Sequence, residues 1–201
     1  VEKGLLRLVV SGQTDWQGEG VRLVSMKGGT RVNVVPAEVS AVVSGAQLHY
    51  VKGAASACAA QTGATFSCEE ENGNIRITAY GFGAHASHPD TGKNAASALL
   101  TLLSALPLAE GAAADKLRAL ASAFPIEGDY GQYAAIRLWD HVRGELPANL
   151  GLIEADVKGF AHPLAIRYPS TANYQMLTKL AGYKTCLAVS VQSHLPHHSV
   201  P

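Results

Sequence analysis

Several polar side chains occupy positions where the chain around them has no structural need of them. His85 and His88 fall in the run YGFGAHASHPDTGKNAASALLTLL, a polar bend that leads straight into an apolar helical pattern. Gly81 and Gly83 relax the backbone ahead of His85, Ala84 and Ala86 keep the approach to it narrow, and Pro89-Asp90-Thr91-Gly92 sets the turn. An imidazole carried on such a bend is aimed outward. Its N–H can donate to an oxygen that gains negative charge. Asn33, in RVNVVP, and Arg167, in LAIRYP, are polar residues inside otherwise apolar strand patterns. For Arg167 two readings stand: a strand-edge ion pair, or a clamp on a carboxylate, which a guanidinium meets with two parallel hydrogen bonds.

Other chemistries find less support. His85 and His88 lie three apart, and His194, His197 and His198 cluster in HLPHH. Zinc sites combine His with Asp, Glu or Cys, and no HExxH or paired-cysteine pattern is present. A metal site built by this chain alone is not expected. No GxSxG marks a nucleophilic serine. Cys58, Cys68 and Cys186 fall inside predicted helix or strand rather than at a helix start that would activate a thiol. The GFG of the His85 bend lacks the third glycine and the strand-helix-strand setting of a dinucleotide loop.

The elements that must position these groups follow from pattern. Leu5–Gly12, Val21–Gly29 and Ala37–Gly45 read as Val- and Leu-rich strands ending in glycine. An Ala-rich helix precedes the stop at Gly63. Two alternating runs flank Asn72-Gly73, the strongest short hairpin signal, because both turn residues need positive φ. A helix runs from Asn94 to about Leu106 and another ends at Pro125; residues 126–147 are ambiguous and partly helical in pattern. A second hairpin turns near Lys158-Gly159, a short helix capped by Ser170 or Thr171 covers 171–183, and a last strand follows. Paired strands and helices, without repeated strand-helix-strand units, predict an α+β fold: an antiparallel sheet with helices on one face. A soft boundary lies at Glu110 to Ala114, and Asn33 and Asn149 each open a strand hairpin, a weak echo that duplication or chance would equally produce.

Composition narrows the class. Of 201 residues, 47% are hydrophobic, enough for a packed core, and 16% are charged, below the usual quarter. Lys+Arg and Asp+Glu are 16 each, which argues against a nucleic-acid or membrane-surface binder. No run of about 20 apolar residues suggests a membrane span. The opening VEKGLLRLVVSG has no signal-peptide layout and reads as a strand that starts abruptly, as if cut from something longer. Three widely spaced cysteines fit reduced, buried thiols and a cytoplasmic compartment better than a disulfide framework.

The segments GGTRVNVVPAEV, GFGAHASHPDTGKNAA, LPANLGLI, LAIRYP and HLPHHSVP occur in an order that resembles the lid domain of the peptidase V-like zinc dipeptidases, members of the aminoacylase and carboxypeptidase G superfamily of metallopeptidases. The resemblance spans nearly the whole chain. It implies two fused ferredoxin-like subdomains, over 1–110 and 111–201. It also implies a separate catalytic domain, surrounding the lid in sequence, that supplies two zinc ions, their ligands and the glutamate that activates water. No such motif is present, so the chain alone is expected to be inactive. By the same resemblance His85 polarises the scissile carbonyl and steadies the oxyanion. Asn33 and Arg167 hold a dipeptide, Arg167 by its C-terminal carboxylate; His88 receives no role. The partners implied are the dipeptide and the chain's own catalytic domain, in a monomer without nucleic acid or membrane. The alternative is a stand-alone small-molecule-binding or dimerisation module with ferredoxin-like halves.

Overall fold

The computed structural model of the chain describes residues 4–13, 15–126, 130, 133, 138–140, 144–156, 159–168, 175, 177–179, 182 and 188–195, with the backbone path only in β1 and most of β12 below. In chain order the elements are β1 (Gly4–Gln13), β2 (Arg22–Gly28), β3 (Val34–Val35), β4 (Glu38–Ser44), α1 (Leu48–Thr62), β5 (Thr65–Glu71), β6 (Asn74–Tyr80) and β7 (Ala84–His85). A 3₁₀ turn at Pro89–Thr91 leads to α2 (Ala95–Ala105) and α3 (Ala112–Ala123). Then come β8 (Leu138–Asp140), β9 (Gly144–Leu146), β10 (Ala148–Asn149), β11 (Ile153–Asp156), β12 (Gly159–Tyr168) and β13 (Ala188–Leu195).

Local chemistry explains several boundaries. Asn72 and Gly73 take φ of 50° and 79°, so the β5–β6 hairpin closes in two residues with Glu71 opposite Asn74. α1 stops where Gly63 adopts φ 65° and returns its N–H to the Ala59 carbonyl at 2.8 Å. α2 starts at Asn94, whose side chain accepts from the N–H groups of Ala96 (2.9 Å) and Ser97 (3.3 Å).

The strands pair antiparallel in one large sheet, in the order β13-β1-β12-β11-β2-β4-β6-β5, with β10 also on β12. Val39, Ala41 and Val43 of β4 alternate inward toward α2, which also packs on β6. α2 buries Leu99, Leu100, Leu102 and Leu103 completely. Removing each of those side chains from water is worth about 1.5–3 kcal/mol, and the polar bend leads directly into the start of α2. Charged Glu69 and Glu70 lie exposed on β5, the open edge of the sheet, where like charge discourages pairing with another strand.

The α+β, antiparallel expectation holds. Around α1 and α2 the strand order β2-β4-β6-β5 is compatible with a ferredoxin-like half, its outer strand supplied from upstream. The sheet continues through β2–β11 pairing, and β1 lies between β12 and β13. Two features differ from pattern. Within 126–147 the described residues include a strand pair, β8 with β9, and no helix. β3 and β7 pair away from the large sheet, too short to leave a periodic trace. In the expected short helix, Gln175 and Leu177–Lys179 are helical and Leu177 is buried; its Ser170 or Thr171 cap lies outside the described residues.

Candidate functional site

β7 and the turn before β3 carry two of the candidate residues, His85 and Asn33. Val34 pairs with His85 and Val35 with Ala84, and the Ala86 N–H donates to the Asn33 carbonyl at 2.9 Å. Asn33, in the turn before β3, thereby lies opposite Ala86, one position from the Val34–His85 pair, and both Asn33 and His85 are exposed. The bend beyond His85 is closed by the His88 N–H to the His85 carbonyl at 2.9 Å. Thr91 ties it further, donating to the His88 carbonyl through its hydroxyl at 2.8 Å and its N–H at 3.2 Å. The base of the bend is fixed to the core by reciprocal backbone bonds between Phe82 and Lys93, at 2.9 and 2.7 Å, and by the Ala95 N–H to the Pro36 carbonyl at 2.9 Å.

A buried residue outside both strands holds the Asn33 turn in place. Asn149, 3% exposed, donates its side-chain amide to the carbonyls of Val32 and Val34, each at 3.0 Å. These are the two carbonyls that flank Asn33. Gly151 closes on the same turn: a Cβ there would sit 2.6 Å from the Val32 carbonyl. Asn94 makes a matching link, capping α2 with its oxygen while its amide donates to the Leu150 carbonyl at 3.2 Å. Sequence reasoning singled out Asn149 only as part of the LPANLG echo; its function as a brace became visible when the folded chain brought it to Asn33. Ser87, a residue common in turns, gave no signal. In the structure its hydroxyl lies 2.6 Å from His85 Nδ1 and 2.9 Å from His88 Nδ1, and its N–H donates to His85 Nδ1 at 3.2 Å.

Arg167 lies on β12 opposite Leu5, one residue beyond Ile166, the ladder partner of Ala148; its side chain lies outside the described part of the structure. Its backbone is thus on the strand that pairs with the Asn149 segment. His194 lies on β13 opposite Leu6, and His197 and His198 are outside the described residues. Among the described residues no three His, Cys, Asp or Glu side chains are grouped to hold a metal ion. None of their helices is long and apolar enough to cross a membrane. Cys58 and Cys68 are buried free thiols, and burial pushes both above their ordinary 9.0; Cys186 is outside the described residues. A cleft of about 380 Å³ lies beside the ladder, lined by residues including Lys27, Gly29, Thr30, Val34, Pro36 and Gly83, but not by Asn33 or His85.

No protein-family model matches the chain. All of it is similar to the Beta-Ala-Xaa dipeptidase of Lactobacillus delbrueckii subsp. lactis: 31% identity over 206 aligned residues, covering 100% of this chain and 43% of that protein. YtjP of Bacillus subtilis (strain 168), which also carries a dipeptidase name, is 29% identical over 157 residues, covering 77% of this chain and 33% of that one. Among solved structures, aminoacylhistidine dipeptidase from Vibrio alginolyticus aligns over 96% of this chain and 45% of its own, at 13% identity and a TM-score of 0.36, too loose to bear on the fold. The chain therefore spans less than half the length of the curated relatives it matches. The class these matches define is dipeptidase-related. More narrowly, the resemblance to peptidase V-like dipeptidases carried by the motifs extends along the whole chain, which corresponds to one part of such a protein.

Proposed function

We propose that the chain is the substrate-binding lid of a zinc-dependent dipeptidase that hydrolyses short peptides in the cytoplasm. Subdomains over 1–110 and 111–201 carry its substrate groups to a catalytic domain outside these residues, and the two zinc ions belong to that domain. In this reading His85 donates to the oxyanion that develops on the scissile carbonyl, Asn33 holds the peptide, and Arg167 takes the C-terminal carboxylate. The assembled enzyme is a monomer, and neither nucleic acid nor a membrane is a partner.

The observation that carries the reading is the closeness of His85 on β7 to Asn33 in the turn that opens β3, both exposed, in a chain that matches dipeptidases throughout. The arrangement suits the chemistry. A donor aimed at a developing oxyanion is worth on the order of 10²–10³ in rate. A lid that delivers it also excludes water on closing. The described residues offer no metal-binding group, so no step is assigned to a metal within this chain.

The test uses the full-length protein with a dipeptide substrate. His85→Ala lowers kcat by about 10²–10³ while bound metal stays constant. Unchanged turnover removes the oxyanion role. Tight calorimetric binding of dipeptides to the isolated chain points instead to a self-sufficient binding module.

A further inference from the structure

His88 and Ser87 have no part in the function proposed above, yet Ser87 contacts the ring on which it depends and His88 contacts Ser87. The Ser87 N–H donates to His85 Nδ1 at 3.2 Å. A backbone N–H is always a donor, so His85 Nδ1 must present its lone pair. In the neutral ring the proton then resides on Nε2. The Ser87 hydroxyl, 2.6 Å from the same Nδ1, can only donate to it. Its one hydrogen is then committed, and toward His88 Nδ1 at 2.9 Å it can only accept. His88 must therefore carry its own proton on Nδ1.

From this one-way chain, His88 Nδ1–H to Ser87 O–H to His85 Nδ1, we infer that Ser87 and His88 are positioning residues that lock His85 with Nε2–H as its outward donor. The two rings, three residues apart, are fixed in opposite tautomers. Free imidazole side chains favour Nε2–H, so the Nδ1–H form of His88 is the distinctive signature. The backbone around the rings is already fixed by the His88 N–H to the His85 carbonyl and by the two Thr91 bonds to the His88 carbonyl. Ser87 thus adds ring orientation and proton placement to a bend that is closed without it. A second donor at Ser87 matters because an exposed imidazole otherwise flips about χ2 and exchanges tautomers with water, leaving its Nε2–H outward for only part of the time. The consequence for catalysis rests on the oxyanion role proposed for His85; the tautomer assignment does not.

The experiment is long-range ¹H–¹⁵N correlation of the ring nitrogens in the ¹⁵N-labelled chain, at about pH 9, where imidazoles are neutral. Exposed His49 serves as the internal reference for an unconstrained ring. His85 is expected to show unprotonated Nδ1 and protonated Nε2, and His88 the reverse. Ser87→Ala should return both rings to the His49 pattern, and Ser87→Thr, which keeps a hydroxyl, should preserve the opposition. Identical tautomer mixtures at His85, His88 and His49, or a His88 pattern indifferent to Ser87→Ala, overturn the inference. In the full-length enzyme Ser87→Ala should lower kcat by about 2- to 10-fold, the scale of one hydrogen bond, with KM little changed and Ser87→Thr restoring it. Opposite tautomers together with unchanged turnover would leave the inference standing and count against the oxyanion role of His85.

Discussion

The α2 layer and the β3–β7 ladder adjoin, yet they are held by different forces. α2 presents leucines that are wholly buried against β4 and β6, an apolar contact that is strong but not directional. The ladder has one fully buried side chain, Val35. It is two residues per strand, and it is kept in place by hydrogen bonds from Asn149, Asn94 and the Phe82–Lys93 pair. The difference teaches a division of labour: burial supplies the free energy of the fold, and satisfied polar contacts supply the position of the site. A hydrogen bond contributes modestly in net terms but fixes angle and distance, which an oxyanion donor requires.

That contrast predicts a graded series of effects. Leu99→Ala should be the most damaging to stability, costing about 2–5 kcal/mol, with amide-exchange protection falling in sheet and helix together in denaturation and exchange experiments. If it perturbed only the bend, the supporting layer would not be the source of stability. Asn149→Ala should cost about 1–3 kcal/mol, because it strips the partner from two carbonyls. Its local mark is faster exchange of the Ala86 amide, which bonds to Asn33, while α2 amides remain protected; uniform loss would erase the distinction between the two regions. Asn94→Ala removes a helix cap for about 1 kcal/mol and should affect both regions, since the same side chain serves α2 and the Leu150 carbonyl.

The smallest effect is a pH dependence confined to the apolar layer. Burial raises the Cys58 and Cys68 thiols above 9.0 in the folded chain. A group raised on folding contributes fully below its unfolded pKa, and that contribution is lost as pH climbs through the folded value. Stability from this source is therefore intact at neutral pH and declines only above about pH 8.5, the range in which an exposed thiol ionises. Denaturation curves across pH 7 to 10 should show this slope reduced in Cys58→Ala, with the Ala86 amide unaffected.

Much of the frame was legible because its causes are local. The Asn72-Gly73 hairpin, the Gly63 stop and the Asn94 helix start each depend on residues within one turn of each other, and all three lie where pattern put them. The exposure of His85 was also legible from its glycine- and proline-bounded bend. The β3–β7 ladder was not, since two-residue strands have no period to detect. Nor was the pairing of β8 with β9, where turn-rich residues mask a short strand pattern. The place of Arg167 is known as far as its strand, whose register puts it next to the Asn149 segment.

By itself the sequence determined the antiparallel α+β class, the caps and turns, and which polar residues are proposed to bind a peptide. Tertiary structure alone decided that Val34, next to Asn33, pairs with His85 and that Asn149, separated from Val32 by 117 positions, braces the turn at Asn33. The reason is physical: a turn's conformation is set by the torsional preferences of its own residues. Which distant strands meet depends on how the whole apolar layer packs, and no local pattern records that.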